Sequence, residues 1–262
     1  MQNLLAKIDE NQHLINSNEV LNADFLKKIN YQFRLDWNFH SNALEGNTLT
    51  QDETRSVMIN NITVSGKPLK DLLEIRGHDD VITEILQIGR GQKRLSETRI
   101  RDIHRAIMYE DDPKQREKIG KWKTEFNCLY NYRGEKIEFT PPEEVPEAMH
   151  KLLNWYSTNL EKITAKKSDA LHPVLLAFEL HLNFVTIHPF YDGNGRTARI
   201  LMNLILISFG YPPAIVRQEE KDVYSRFLAD VQVYGGSPDL FFKFLAECLL
   251  RSQDFILSKI KY

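Results

Sequence analysis

The residues best suited to chemistry lie together, in His188-Pro189-Phe190-Tyr191-Asp192-Gly193-Asn194-Gly195-Arg196-Thr197-Ala198-Arg199, between two strongly apolar segments. Such a placement makes a polar loop on a buried scaffold. Gly193 and Gly195 let the backbone take unusual angles and approach a ligand closely. Successive N–H groups where the loop runs into a helix form a concave site for an anion. Arg196 and Arg199 are three apart, so they share the first helical turn, and two guanidiniums beside such a nest suit a polyphosphate. Asp192 offers the hard oxygen that Mg²⁺ takes at phosphate sites. His188 offers a base with an unperturbed pKa of about 6.5. Base, metal ligand, phosphate cradle and charge clamp are the parts of a phosphoryl-transfer site. Singly, each has an ordinary structural explanation: a histidine before proline is more often architectural, and Asp-Gly is more often a turn. Their joint arrangement is what carries the inference. The P-loop pattern G-x-x-x-x-G-K-[ST] is absent.

The same run fits H-x-F-x-[DE]-G-N-G-R-x-x-R at every specified position. On this match the chain resembles the Fic family. The resemblance extends to His172-Pro173 before the motif and to Met202-Asn203 and Gly210-Tyr211-Pro212-Pro213 after it. It covers roughly Asn38 to Leu249, most specifically Ser168 to Pro213. The resemblance implies a mostly α fold, a Fic-type helical bundle with one β-hairpin flap. It also implies a protein adenylyltransferase that moves AMP from ATP to a Ser, Thr or Tyr hydroxyl of a target protein. By that likeness His188 deprotonates the hydroxyl, Phe190 fixes the loop in the core, and Asp192 holds Mg²⁺ or Mn²⁺. Gly193, Asn194, Gly195 and Arg196 form the anion hole, and Arg199 binds the γ-phosphate. Tyr224 stands on the adenine side, where the family often has two adjacent tyrosines and this chain continues with Ser225. The family's Gly-x-x-Arg ahead of the flap is here Gly120-Lys121-Trp122-Lys123. The flap, Phe126 to Thr140, would pair with the target chain as an added strand.

A second stretch, Ser41-Asn42-Ala43-Leu44-Glu45-Gly46-Asn47, places Ser41 and Glu45 four apart on one helix face. A carboxylate at a helix C-terminus is disfavoured by about 0.3–1 kcal/mol, which points to a partner elsewhere. The stretch fits [ST]-x-x-x-E-[GN] and resembles the family's inhibitory motif, which implies that Glu45 reaches Arg199 in place of the γ-phosphate. Three other readings stay open: removal of AMP with Glu45 positioning a water, transfer from a different donor such as another nucleotide or a phosphocholine carrier, against which the intact Gly193-Asn194-Gly195-Arg196 speaks, and a catalytically silent interaction module.

The elements that must position these groups are mostly helical, with apolar residues recurring at three and four. Helices are expected from about Ala23 to Glu45, after the capping pair Thr50 and Glu53, from Pro68 to about Ile88, and after Ser96. A hairpin turning at Asn131-Tyr132-Arg133-Gly134 follows, then helices from about Glu143 to Leu160, His172 to Val185 and Gly195 to Phe209, and two more. One compact unit is expected, with residues 1–95 as a helical region carrying the inhibitory helix and 96–262 as the core with flap and C-terminal helices. A formal net charge of -2 gives no global pull toward nucleic acid or anionic membrane. Cys128 and Cys248 make no disulfide framework, and no apolar run reaches the length of a membrane span. A cytoplasmic protein is expected, with ATP and a protein target as partners and homo-oligomerisation allowed for.

Overall fold

The computed structural model describes residues 1–18, 23–60, 63–89, 91, 94–130 and 133–260. At its centre two helices lie against each other, α8 (Pro173–Ile187) and α9 (Asn194–Ser208). The start of α8 follows from local chemistry: the His172 ring nitrogen accepts the Val174 N–H, and Pro173 occupies a first-turn position where no N–H is needed. Helix α9 is buried along nearly its whole length, and from Ile200 to Ile207 it is apolar on all sides but for Asn203. Asn203, buried in α9, clips the following loop by accepting the Ala214 N–H at 2.8 Å and donating to the Ala214 carbonyl at 3.2 Å.

The N-terminal helices wrap this pair. Helix α1 (Gln2–Asn16) lies on the last helix, α11 (Asp239–Ile260), with Ile8 and Ile15 buried and Gln253 donating to the Ile8 carbonyl. It precedes the first helix expected from the sequence. Helix α2 (Ala23–Leu44) packs on α3 (Gln51–Asn60) and α4 (Leu69–Ile88). The Thr50 and Glu53 capping box is formed, each side chain accepting the other's N–H. Helix α4 in turn touches α5 (Glu97–Ile107) and α9, and α5 opens on the Ser96 hydroxyl, which accepts from the Arg99 N–H. After a short helical turn, α6 (Pro113–Arg116), come β1 (Cys128–Tyr130) and β2 (Lys136–Glu138), paired antiparallel with Leu129 opposite Ile137. Of the expected turn, Asn131 and Tyr132 lie outside the described residues. Ile137 and Phe139 dock the hairpin on Ala229 and Val233 near α10 (Lys221–Gln232). Helix α7 (Val145–Thr164) covers α8 from the other side. One apolar core runs from Ile8, Trp37 and Leu44 through α8 and α9 to Leu250.

That core also encloses histidines. His78, His104, His181 and His188 are held below the ordinary imidazole range chiefly by burial, His104 to about 4 and His181 and His188 to about 3. The unfolded chain takes up protons near pH 6.5 that the folded chain refuses, so these groups make stability fall as pH drops from about 6.5 toward 4. Urea midpoints measured at pH 7.5, 6 and 5 should decline in that order; a midpoint that rose on acidification would contradict it.

Candidate active site

The loop between α8 and α9 is held from three directions. His188 ends α8 in the left-handed conformation, φ 52° and ψ 60°, which turns the chain out of the helix. Phe190 is fully buried, stacked on His104 at 3.7 Å between ring centres and next to Trp122. The Asn194 amide brackets Phe190, accepting its N–H and donating to its carbonyl, both at 2.9 Å. Gly193 has φ 75°, and a Cβ there would stand 2.4 Å from the Met108 sulfur, so glycine is required on both counts. Asp192 accepts the Gly193 N–H at 2.7 Å through one carboxylate oxygen. Its backbone carbonyl takes the His104 Nε2–H at 2.9 Å, while His104 Nδ1 accepts the Gly120 N–H.

The two arginines of α9 have different fates. Arg199 donates from Nε to the Ser41 hydroxyl at 3.0 Å, and from Nη2 to the Ser41 carbonyl at 2.9 Å and the Glu45 carboxylate at 2.7 Å. The Arg199 side chain is 3% exposed and that of Glu45 34%, so the pair joins a buried cation to a carboxylate open to the cavity. Gly195 makes room for it: a Cβ there would lie 2.4 Å from the nearer Glu45 oxygen. Arg196 instead pairs with Glu74 of α4 at 2.8 Å, both side chains 5% exposed or less, and it does not line the cavity. The structure thus separates Arg196 from the expected anion-hole group and puts it behind the loop. Burial raises the Glu74 pKa, with the Arg196 charge opposing.

A cavity of about 370 Å³ lies in front of the loop, and Glu45, His188, Asp192, Asn194, Gly195, Arg199 and Tyr224 all border it. Ser41 meets Arg199 just behind, and Gly193 caps α9 without bordering the cavity. Tyr224 is buried, its hydroxyl 2.9 Å from His181 Nε2 and its ring 5.9 Å from the Arg199 guanidinium. The flap closes the other side. Phe139 stacks on the His188 ring at 3.8 Å, and the Asn127 amide lies 3.0 Å from His188 Nδ1. Lys123, buried and pushed down to about 8 by desolvation, donates to the side-chain amide oxygen of Asn127 at 2.7 Å. Burial lowers His188, the Lys123 charge lowers it further, and Glu45 opposes both. Among the described residues no three His, Cys, Asp or Glu side chains form a metal-binding group, and no helix is long and apolar enough to cross a membrane. Glu74, His104 and Asn127 had no signal in the sequence beyond being polar residues in or near apolar segments.

The buried pair carries a stability consequence. Removing one partner of such a pair strands the other charge and costs about 3–5 kcal/mol. Glu74→Ala should lose that much in urea unfolding, whereas Glu147→Ala, at the exposed Lys151 pair, should lose less than about 1 kcal/mol. Similar losses for the two would rule out the role given to Glu74.

The family model described as Fic/DOC family matches residues 94–206. A Nematostella vectensis protein named Protein adenylyltransferase Fic is 30% identical over 258 residues, covering 98% of this chain and 56% of that protein. The protein of the same name from Drosophila virilis is 32% identical over 219 residues, covering 84% of this chain and 42% of that protein. The chain spans about half the length of the curated relatives it matches. Among solved structures, a Fic domain containing signaling protein from Bacteroides thetaiotaomicron aligns with a TM-score of 0.86 at 31% identity, covering 98% of this chain and 97% of that one. With a likeness of that extent and the motif built into the loop described above, the chain belongs to the Fic/DOC family.

Proposed function

We propose that this chain is a protein adenylyltransferase, moving AMP from ATP to a protein hydroxyl, and that Glu45 inhibits it from within. The observation that carries the reading is the Glu45–Arg199 contact, 2.7 Å across a cavity that also holds His188 and Asp192. The name of the relatives, adenylyltransferase, supports the same chemistry. In this reading the target hydroxyl loses its proton to His188 and its oxygen attacks the α-phosphorus. The bond from that phosphorus to the β-phosphate oxygen breaks, and pyrophosphate leaves. The N–H groups at the start of α9, which have no partner within the helix, receive the phosphates. Gly193 and Gly195 keep side chains out of the way, and Arg196 braces the loop from behind through Glu74. Tyr224 borders the end of the cavity given to the base.

Asp192 fits a divalent cation: it borders the cavity, and only one of its oxygens has a hydrogen-bond partner among the described residues. Mg²⁺ or Mn²⁺ held there with phosphate oxygens would neutralise charge on the leaving pyrophosphate. The flap offers Phe126, Leu129 and Tyr130, all more than half exposed, beside a short strand to which a target chain could add. Residues 1–95 would then be the regulatory part and 96–262 the catalytic part.

Glu45 and the γ-phosphate compete for one guanidinium. With Glu45 in place the nucleotide tail is displaced, and a small displacement of the α-phosphorus costs about 10²-fold in rate. Glu45→Gly should therefore raise initial AMP incorporation from labelled ATP by about that factor. Ser41→Ala should raise it less, because Ser41 steadies Arg199 without blocking the phosphate. Adding Arg199→Ala or His188→Ala to Glu45→Gly should cancel the gain. A folded Glu45→Gly protein no faster than wild type would remove the inhibitory assignment.

A further inference from the structure

His188 meets the rest of the protein through one nitrogen. Its Nδ1 lies 3.0 Å from the amide nitrogen of Asn127 and 3.0 Å from that of Asn194, while Nε2 has no hydrogen-bond partner among the described residues. Both amides are fixed in orientation by other contacts. The Asn194 oxygen accepts the Phe190 N–H and its nitrogen donates to the Phe190 carbonyl, so turning it would oppose like to like twice. The Asn127 oxygen accepts from the Lys123 ammonium, and its nitrogen also reaches the Phe190 carbonyl at 3.0 Å. Turning that amide would set N–H against ammonium and oxygen against oxygen. Two N–H donors therefore converge on Nδ1. An imidazole nitrogen that accepts carries no proton, so in the neutral ring the proton sits on Nε2. Phe139, stacked at 9° to the ring, holds its plane.

We infer that Asn127, oriented by Lys123, is a positioning residue that together with Asn194 fixes His188 in the Nε2–H tautomer while the flap is closed. The inference rests on the reading of His188 as the base. It means that the resting site is off twice. Glu45 stands where a phosphate must bind, and the imidazole nitrogen left to the cavity has a proton instead of a lone pair. Burial and the Lys123 charge keep the ring from taking a second proton. To accept from a hydroxyl, the ring must first gain a proton at Nδ1 and lose one at Nε2, an exchange that water can carry out with no net change in charge. That exchange requires the Asn127 N–H to leave Nδ1 and the ring to turn off the Asn194 N–H, which the loop holds in place. Asn127 stands one residue before β1, so a target strand added to the flap acts directly on the residue that sets the tautomer. Target docking and readiness of the base are thereby coupled through one side chain.

Two-bond ¹⁵N–¹H correlation spectra of the full chain, labelled at histidine, read the tautomer directly, and His188→Gln assigns the signal. Wild type should show a bare Nδ1 and a protonated Nε2. Asn127→Asp, whose carboxylate can accept from Nδ1–H and still hold Lys123, should reverse the two. If the aspartate variant does not fold, Asn127→Ala serves, and the loss of one donor should give a mixture of tautomers. In the Glu45→Gly background, Asn127→Asp should raise kcat for AMP transfer by about tenfold or more, with little change in the KM for ATP, the split expected when only the base changes. A wild-type protein with Nδ1–H, or an Asn127 variant with the wild-type tautomer, would overturn the assignment. A reversed tautomer with a lower kcat would overturn the claim that the resting form is the idle one. The spectra do not depend on AMP transfer: expected spectra with no transfer in any variant would sink the transferase reading alone.

Discussion

Two guanidiniums, Arg196 and Arg199, are buried within one turn of each other at the start of α9. That is the least favourable end of a helix for positive charge. Neither can shed its proton, so each needs an anion. The N-terminal helices supply both, Glu74 from α4 and Glu45 from the end of α2. The wrapping of the N-terminal helices around the central pair answers this need as well as the burial of apolar surface. The two anions differ in one physical respect. Glu74 is enclosed and could be replaced by nothing from solvent. Glu45 faces the cavity and occupies a place that a phosphate oxygen could fill with the same charge and similar reach. One turn of helix thus carries a structural arginine and an arginine available to a ligand.

The loop ahead of that turn is shaped by the same economy of polar groups. Backbone groups that leave α8 at His188 find their partners in the Asn194 amide, in His104 and in the Asp192 carboxylate. The left-handed angle at His188 is unfavourable for a residue with a side chain, and the buried Phe190 ring two residues on anchors the conformation. A loop fixed in this way presents its N–H groups without reorganising on arrival of an anion, which is the condition under which such groups act most strongly.

Much of this is legible in the sequence. The motif places His188, Asp192, Asn194 and Gly195 within one run, and helical periodicity around it locates α8 and α9 to within two residues. The stretch from Ser41 to Glu45 announces itself by a carboxylate at a helix end. Local rules carry no information about partners far away in the chain. Glu74 reads as one more acidic residue in an amphipathic helix, and only its burial beside Arg196 gives it a role. Arg196, equivalent to Arg199 by spacing, is distinguished from it solely by which helix lies behind. His104 and Asn127 are likewise silent until α5 and the flap are brought to the loop. Helix α1 is missed as an element because its stabilising contacts come from α11, at the other end of the sequence.

If Glu45 is inhibitory, as proposed above, the attachment of α2 constrains how it could be displaced. Ahead of Glu45 the helix is fastened to α4 by buried polar contacts: Asn38 donates to the Ile75 carbonyl at 2.9 Å, and Asn42 meets both Asn38 and His78. Trp37 and Leu44 add apolar anchorage. Pulling the whole helix away would exchange the contacts to Ile75 and His78 for water and expose the apolar surface of Trp37 and Leu44, at about 25 cal/mol per Å² of that surface. Glu45 itself lies just past the last helical residue, followed by Gly46 at φ 97°. Rotation of the Glu45 side chain alone breaks its contact to Arg199 and leaves the buried polar set intact, whereas backbone movement at Glu45 and Gly46 also gives up their N–H bonds to the Asn42 and Ala43 carbonyls. In the proposed reading, relief by a swing of that side chain is therefore cheaper than relief by displacement of α2. In that reading a tethered carboxylate would compete at a fixed effective concentration, and added ATP would shift the balance only in proportion to its own concentration. An agent that holds the turn after α2 away from Arg199 removes the competitor altogether.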